Sequence, residues 1–446
     1  MKTIPMTSGT PWKHIVRFAL PVLLGSFLQQ LYNTVDAIVV GNFAGEASLS
    51  AVGTTGSFTF LLLAIALGFS AGNGVVVAQY YGAEDPSGVR ENASTGILFL
   101  MALGVFFALF GFAIARPAFV YLVNVPESYL GLTLQYFRIY ALGLVFQYGY
   151  NIFSSILRAV GDSVATLYFL LIASVLNILL DLLFVAVYHW GVIGAAVATV
   201  IAQAASFVAA YVYMTRRYPI FRFRLSDYKW KPALIRRTVT IGFPISLQMI
   251  IVSVGLTLIQ RAVNGFGQAM TASFTVGTRI EQYLNLPFNA FQTTLATYTG
   301  QNIGAKRIDR VKTGVRQTIL ISLTLTLVIS GMIWLLADNI ITLFGLSDQA
   351  AVYCLSHLRA VALIHLILSV YVPLFGVFQG ANHSGFPAVV ATCALTTRVV
   401  VTYLFKDSPF FGYSIFWCNG LFGFGLGCTV SWAFYLSGRW KRGAAI

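Results

Sequence analysis

Three acidic residues, Asp36, Asp181 and Glu281, lie deep inside long apolar stretches of this chain, and every other acid falls near the end of a stretch or between two. An ionisable group inside a membrane span is costly and rare, so each of the three is a candidate for function. Asp36 closes a series Gln29, Tyr32, Asn33, Asp36 at steps of three, one and three, which shares one helical face. Lipid-facing surfaces do not carry such a stripe. Asp181 has Asn177 four residues before it on the same face, and Thr199 ends a run of small residues, Gly194 to Thr199, that lets helices approach closely. Two carboxylates with amide and hydroxyl oxygens suit a hard cation such as Na⁺. They suit a proton equally, because two neighbouring carboxylates in a low dielectric resist being ionised together. A hydrogen-bonded cluster that only joins helices is the plain alternative.

Glu281 heads a second stripe, Glu281, Asn285, Asn289 and Gln292, at steps of four, four and three. It is expected to line a second polar cavity. A structural ion pair with Arg398, or with Arg279, competes with a substrate role for Glu281. Pro21 precedes Asp36 by some four turns; a proline inside a helix frees a carbonyl and bends the axis, which makes it a candidate hinge.

The elements that must position these groups follow from composition. The 446 residues are 58% hydrophobic and 9% charged, against about 25% charged in soluble domains. That excludes a soluble enzyme, a disordered chain and a secreted disulfide scaffold. Twelve apolar segments are read at 15–40, 51–79, 94–115, 133–157, 164–187, 192–214, 239–263, 270–298, 315–337, 352–379, 387–405 and 411–437. Helix is the expected form, since an open strand leaves backbone groups unpaired in lipid. The fold class expected is an all-α polytopic membrane protein.

Basic residues set the orientation. Counting the N-terminus, the even-numbered loops and the C-terminus as one side gives 21 Lys and Arg, including Lys2, against 4 on the other. Both termini are therefore expected in the cytoplasm. The net charge of +14 is read as loops held against anionic lipid, with no nucleic-acid partner expected. Met1 to Pro11 has no apolar core of a leader, and no signal peptide is expected. Cys354, Cys393, Cys418 and Cys428 lack C-x-x-C spacing and read as buried free thiols.

The halves repeat. Pro21 matches Pro244, Gly53 matches Gly277, Gln79 to Ala83 matches Gln301 to Ala305, Gly161 matches Asn382 and Gly191 matches Gly412, all at offsets between 221 and 224. The expected domains are residues 1–214, a basic cytoplasmic linker 215–238, and residues 239–446. Six helices per repeat give both halves the same sense, with a pseudo-two-fold along the membrane normal. Repeat-built transporters place their sites near mid-membrane. No P-loop, H-E-x-x-H or strand-to-helix G-x-S-x-G is present, so neither an enzyme nor ATP use is expected.

Jointly, several runs resemble the multidrug and toxic compound extrusion (MATE) transporters over essentially the whole chain. They are Leu31 to Asn42 with Pro21, Gln79 to Gly82, Leu157 to Asp162, Asn177 to Asp181, Gly191 to Thr199, Gly300 to Gly304 and Asp309 to Val311. The resemblance implies twelve transmembrane helices in two six-helix bundles. It implies an antiporter that exports organic cations or amphiphilic drugs in exchange for H⁺ or Na⁺, with no cofactor, as a monomer in the plasma membrane. By the same resemblance Asp36, Asn177, Asp181 and Thr199 bind the coupling cation, Na⁺ included, with Tyr32 and Tyr136 matching more loosely and Pro21 as the bend in the first helix. Helix 7, Pro244 to Met249, and helix 10 carry no acid, unlike the NorM-like branch, so the chain is more similar to the DinF-like branch. A lipid-linked oligosaccharide or precursor flippase of the same superfamily is the alternative. Such flippases often have fourteen helices and a more cationic cavity, which argues against it. A passive channel or receptor is disfavoured by two facing carboxylates halfway across a two-repeat fold.

Overall fold

In the computed structural model, which describes residues 5–342 and 344–443, the chain forms twelve α-helices and no strand among the described residues. Lys2 of the charge count, and the outer ends of the expected domains at Met1 and Ile446, lie outside the described residues. The helices are α1 Pro11–Val39, α2 Glu46–Gly82, α3 Pro86–Pro117, α4 Glu127–Ala159, α5 Ser163–Asp181 and α6 Gly191–Arg217, then α7 Pro232–Asn264, α8 Gln268–Gly304, α9 Ile308–Thr342, α10 Asp348–Gly380, α11 Gly385–Phe405 and α12 Ile415–Leu436. Several overrun the apolar segments, because a helix continues past the hydrocarbon into water where polar side chains tolerate it. Ten of them, among the described residues, are long and apolar enough to cross a membrane. The polar stripe of α8 and the four glycines of α12, at 420, 423, 425 and 427, dilute the other two.

The repeat is visible in the backbone. Helices α2 and α8 each span 37 residues, and α4 and α10 each span 33. Left-handed residues recur at matching places: Gly45 and Gly267, Glu84 and Lys306, Gly161 and Asn382, Gly191 and Gly412. These are the corners where one helix hands over to the next.

Contacts divide the chain into two units. Among the described residues, one holds Leu20–Ser246 and the other holds Met6–Ala19 with the chain from Leu247 onward. In the first, α4 is the central helix and packs on α2, α3 and α6. Its core is aromatic, with Phe58, Phe119 and Phe137 edge to face at 5.0 to 5.8 Å. Tyr148 Oη–H donates to the Leu62 carbonyl at 2.8 Å and Ser155 Oγ–H to that of Ser70 at 2.6 Å, so buried hydroxyls tie α4 to α2. Such bonds are worth about 0.6 kcal/mol each in a membrane protein. The N-terminal half of α7 lies against α2 at Gly68, Gly72 and Gly242, where a Cβ would strike the facing backbone. In the second unit α10 takes the central place, against α8, α9 and α12.

The expected linker 215–238 is shorter as loop. Helix α6 runs to Arg217 and α7 starts at Pro232, leaving a folded strap with two short 3₁₀ turns. Arg90 on α3 holds it, donating to the carbonyls of Ile220 and Arg222 at 2.8 Å and to Asp227 Oδ2 at 2.6 Å. In the second unit Arg310 donates to the carbonyls of Met6, Ser8 and Gly9, which anchors the foot of α1. The cysteines are free, but only Cys354 is buried; Cys393 is exposed and the other two are half-buried, because they lie on outward faces of α11 and α12.

Candidate functional site

The first unit brings together six residues from four helices. Asp36 and Tyr32 come from α1, Tyr136 from α4, Asn177 and Asp181 from α5, and Thr199 from α6. The Asp36 and Asp181 carboxyls face each other, with the phenols of Tyr32 and Tyr136 close by. Asp181 is fully buried and Asn177 nearly so, at 0% and 2% exposure. Asn177 Nδ2 donates to Thr199 Oγ1 at 3.5 Å, and that hydroxyl donates to the Ala195 carbonyl at 3.0 Å. The Asn177 amide thus turns its Oδ1 away from Thr199.

Among the described residues no donor reaches four buried oxygens: Asp36 Oδ1, Asn177 Oδ1 and both carboxyl oxygens of Asp181. Buried polar atoms are normally satisfied, so a cluster of orphan acceptors is a place for a cation or a proton. All four of these atoms are oxygen, the donor type that hard cations take. Gln29 and Asn33, the other members of the α1 stripe, are exposed and stand outside this cluster.

Both acids lie beside departures from regular helix. A π-helical turn, Val40–Ala44, begins four residues after Asp36, and another, Leu182–Val187, begins immediately after Asp181; the two turns touch. Such turns are frequent at functional sites. Tyr140, one turn beyond Tyr136, stacks on it at 6.3 Å and donates to Gln147 Oε1 at 2.9 Å. Sequence reasoning missed Tyr140, although the i, i+4 spacing of two tyrosines inside a span was the available signal.

Glu281, Asn285, Asn289 and Gln292 line a cavity of about 320 Å³ in the second unit, together with His365 and Arg398. The ion pair expected for Glu281 is different. His357 Nε2 lies 3.4 Å from Glu281 Oε1, and neither Arg398 nor Arg279 reaches the carboxylate among the described residues. Gly277, one turn before Glu281, explains this, because a Cβ there would strike the His357 ring. That ring is stacked between Phe274 at 5.4 Å and Trp417 at 5.1 Å. Arg398 is held elsewhere, donating to Asn419 Oδ1 at 2.7 Å with its guanidinium over the Phe424 ring. Arg279 is exposed, two residues from Glu281 and so on the other side of α8. A histidine inside an apolar span was the signal for His357.

A twelve-helix fold in two repeats, with buried acids inside apolar helices, is the architecture of a membrane transporter. The family profile described as MatE matches residues 21–183 and again 244–404, and the chain belongs to that family. It is 29% identical over 450 residues to the probable multidrug resistance protein YpnP of Bacillus subtilis (strain 168), covering 99% of this chain and 98% of that one. Among solved structures it matches a MATE in the straight conformation with a TM-score of 0.92, at 24% identity over 99% of both chains. It matches a MATE in the bent conformation with a TM-score of 0.91, at 23% identity over the whole of both chains.

Proposed function

We propose that this protein is an ion-coupled efflux antiporter that exports organic cations or amphiphilic drugs in exchange for H⁺ or Na⁺, as a monomer in the plasma membrane with both termini cytoplasmic. One observation carries the reading: the four buried oxygens of Asp36, Asn177 and Asp181 that have no donor. Two facing carboxylates repel when both are ionised, so the empty site is unstable and gains by taking up Na⁺ or a proton. Asn177 and Thr199 complete the oxygen set, and Tyr32 and Tyr136 supply hydroxyls around it. Relief of the repulsion changes how α1 packs, and Pro21 is where α1 bends. The bend shrinks the cavity of the six-helix lobe 1–214 and expels the drug, which produces exchange rather than co-transport. A ligand shifts such an equilibrium only by its differential affinity for the two states, so the site must differ between straight and bent α1. The name of the YpnP relative, a probable multidrug resistance protein, supports drug-like substrates, and the lack of an acid in α7 supports a DinF-like arrangement with coupling in the first lobe.

The test is efflux of a cationic dye from proteoliposomes under a Na⁺ gradient alone and under a pH gradient alone. Efflux driven by one of the two is expected and identifies the ion. Efflux that proceeds equally without any gradient overturns the antiport reading.

A further inference from the structure

The cavity of the second unit contains two charges of opposite sign that do not pair. Glu281 enters it from α8 and Arg398 from α11. Among the described residues no ion pair joins them; the carboxylate rests against His357 and the guanidinium against Asn419 and Phe424. His365, which is 4% exposed, lines the same cavity. Its Nδ1 is 2.8 Å from the Val361 carbonyl. A carbonyl only accepts, so Nδ1 carries the hydrogen, and in the neutral ring Nε2 presents a lone pair. Among the described residues that Nε2 is buried without a partner, as is Gln248 Oε1, and both residues line the cavity.

An unpartnered acceptor beside a carboxylate calls for a ligand with N–H donors and positive charge. Arg398 in the same void calls for an anion. A ligand with only a positive group would lie near an unbalanced guanidinium, and one with only a negative group near an unbalanced carboxylate; both are disfavoured where water is scarce. The cavity, at about 320 Å³, is at the small end of ligand pockets, which run to about 1,000 Å³. Apart from the amides of Asn285, Asn289 and Gln292, its remaining wall is apolar and aromatic, including Phe288, Tyr371 and Phe375.

We propose that this cavity binds a small zwitterionic amphiphile. Its protonated amine donates to Glu281 and His365 Nε2, its carboxylate accepts from Arg398, and its apolar body lies on the aromatic wall. The inference rests on the efflux reading only in naming a ligand class for it. It is tested by equilibrium binding, which needs no ion gradient, so absence of driven efflux with intact binding would sink that reading and leave this one standing.

The probes are tryptophan, tryptamine, which lacks the carboxylate, indole-3-propionic acid, which lacks the amine, and N,N,N-trimethyltryptophan, which keeps the positive charge but lacks the ammonium N–H donors. Binding to the purified full chain in nanodiscs is measured by calorimetry. Tryptophan is expected to bind at least about ten-fold more tightly than the other three, a difference of about 1.4 kcal/mol. Arg398→Gln should erase its advantage over tryptamine, and Arg398→Lys should keep it. Glu281→Gln should erase its advantage over indole-3-propionic acid, and His365→Phe its advantage over the trimethyl derivative. Variants are compared only as monodisperse protein, and the tryptophan-to-tryptamine ratio on the unmodified chain decides this arm if Arg398→Gln does not fold. Tryptamine binding as tightly as tryptophan, no binding of any probe, or preferences that survive Arg398→Gln and Glu281→Gln would overturn the proposal.

Discussion

Asp36 and Asp181 illustrate what a carboxyl does when no donor satisfies it. In the proposed mechanism each is needed for the coupling ion to distinguish two states of α1, so replacing either by the neutral isostere removes the difference in affinity that drives the change. Asp36→Asn and Asp181→Asn are each expected to reduce gradient-driven efflux to the level of empty liposomes, while the proteins remain monodisperse. Full driven efflux by Asp36→Asn protein would move the coupling site to the Glu281 stripe. Glu281 and His357 pose a separate question, since His357 is 1% exposed and sandwiched between two aromatic rings. His357→Ala should leave a void and cost about 2–4 kcal/mol, read as a lower midpoint in a thermal melt in detergent. An unchanged midpoint would mean the sandwich contributes nothing to stability. At this scale the acids were legible in the sequence, because charge inside an apolar run announces itself. The partner of Glu281 was not, since it depended on Gly277 making room for a ring that arrives from α10.

The elements were legible to the extent that hydropathy defines them. Apolar runs located twelve helices, but their polar extensions and the two π-helical turns beside Asp36 and Asp181 left no mark on hydropathy. Such turns are set by how neighbouring helices pack, not by residue type. The basic stretch after α6 shows the same limit from the other side. Its charge was read as a strap against lipid headgroups, but several of its groups fold inward onto α3. Its Asp227 carboxyl is held below the usual carboxylate range, first by the Arg224 backbone N–H and next by the Arg90 guanidinium. A lowered carboxyl contributes its stability above the ordinary carboxylate pKa of about 4 and loses it only as the pH falls through the lowered value. The clamp is therefore complete across the neutral range. Arg90→Ala should speed tryptic cleavage after Arg222 or Arg224 several-fold, by the same factor at pH 7 and pH 8.5. Equal cleavage of variant and wild type would show that Arg90 does not hold the strap.

For the whole molecule, the informative feature is where the chain passes between its two contact units. Within helices it does so at Ala19–Leu20 in α1 and again at Ser246–Leu247 in α7. Pro21 lies two residues beyond the first crossing and Pro244 two residues before Ser246, at the repeat offset of 223. Both prolines sit inside continuous helices in this structure. Each removes one backbone hydrogen bond, to the carbonyl four residues earlier, and so lowers the resistance to bending at that turn. The N-terminal end of α1 is anchored by Arg310 in one unit, whereas its body, with Asp36, belongs to the other. Any change in the packing of that body must then be absorbed near Pro21. By the same reasoning Pro244 absorbs strain in α7, whose first turns are fixed to α2 in the first unit, with Arg237 donating to the Tyr80 hydroxyl at 3.0 Å. The repeat therefore predicts two hinges where the sequence pattern around Asp36 suggested one. Pro21→Ala and Pro244→Ala should each slow driven efflux while leaving equilibrium dye binding within about two-fold, because a stiffer helix changes the rate of conversion and not the groups that bind. A Pro244→Ala protein with the wild-type efflux rate, measured beside a slowed Pro21→Ala, would restrict the hinge to α1.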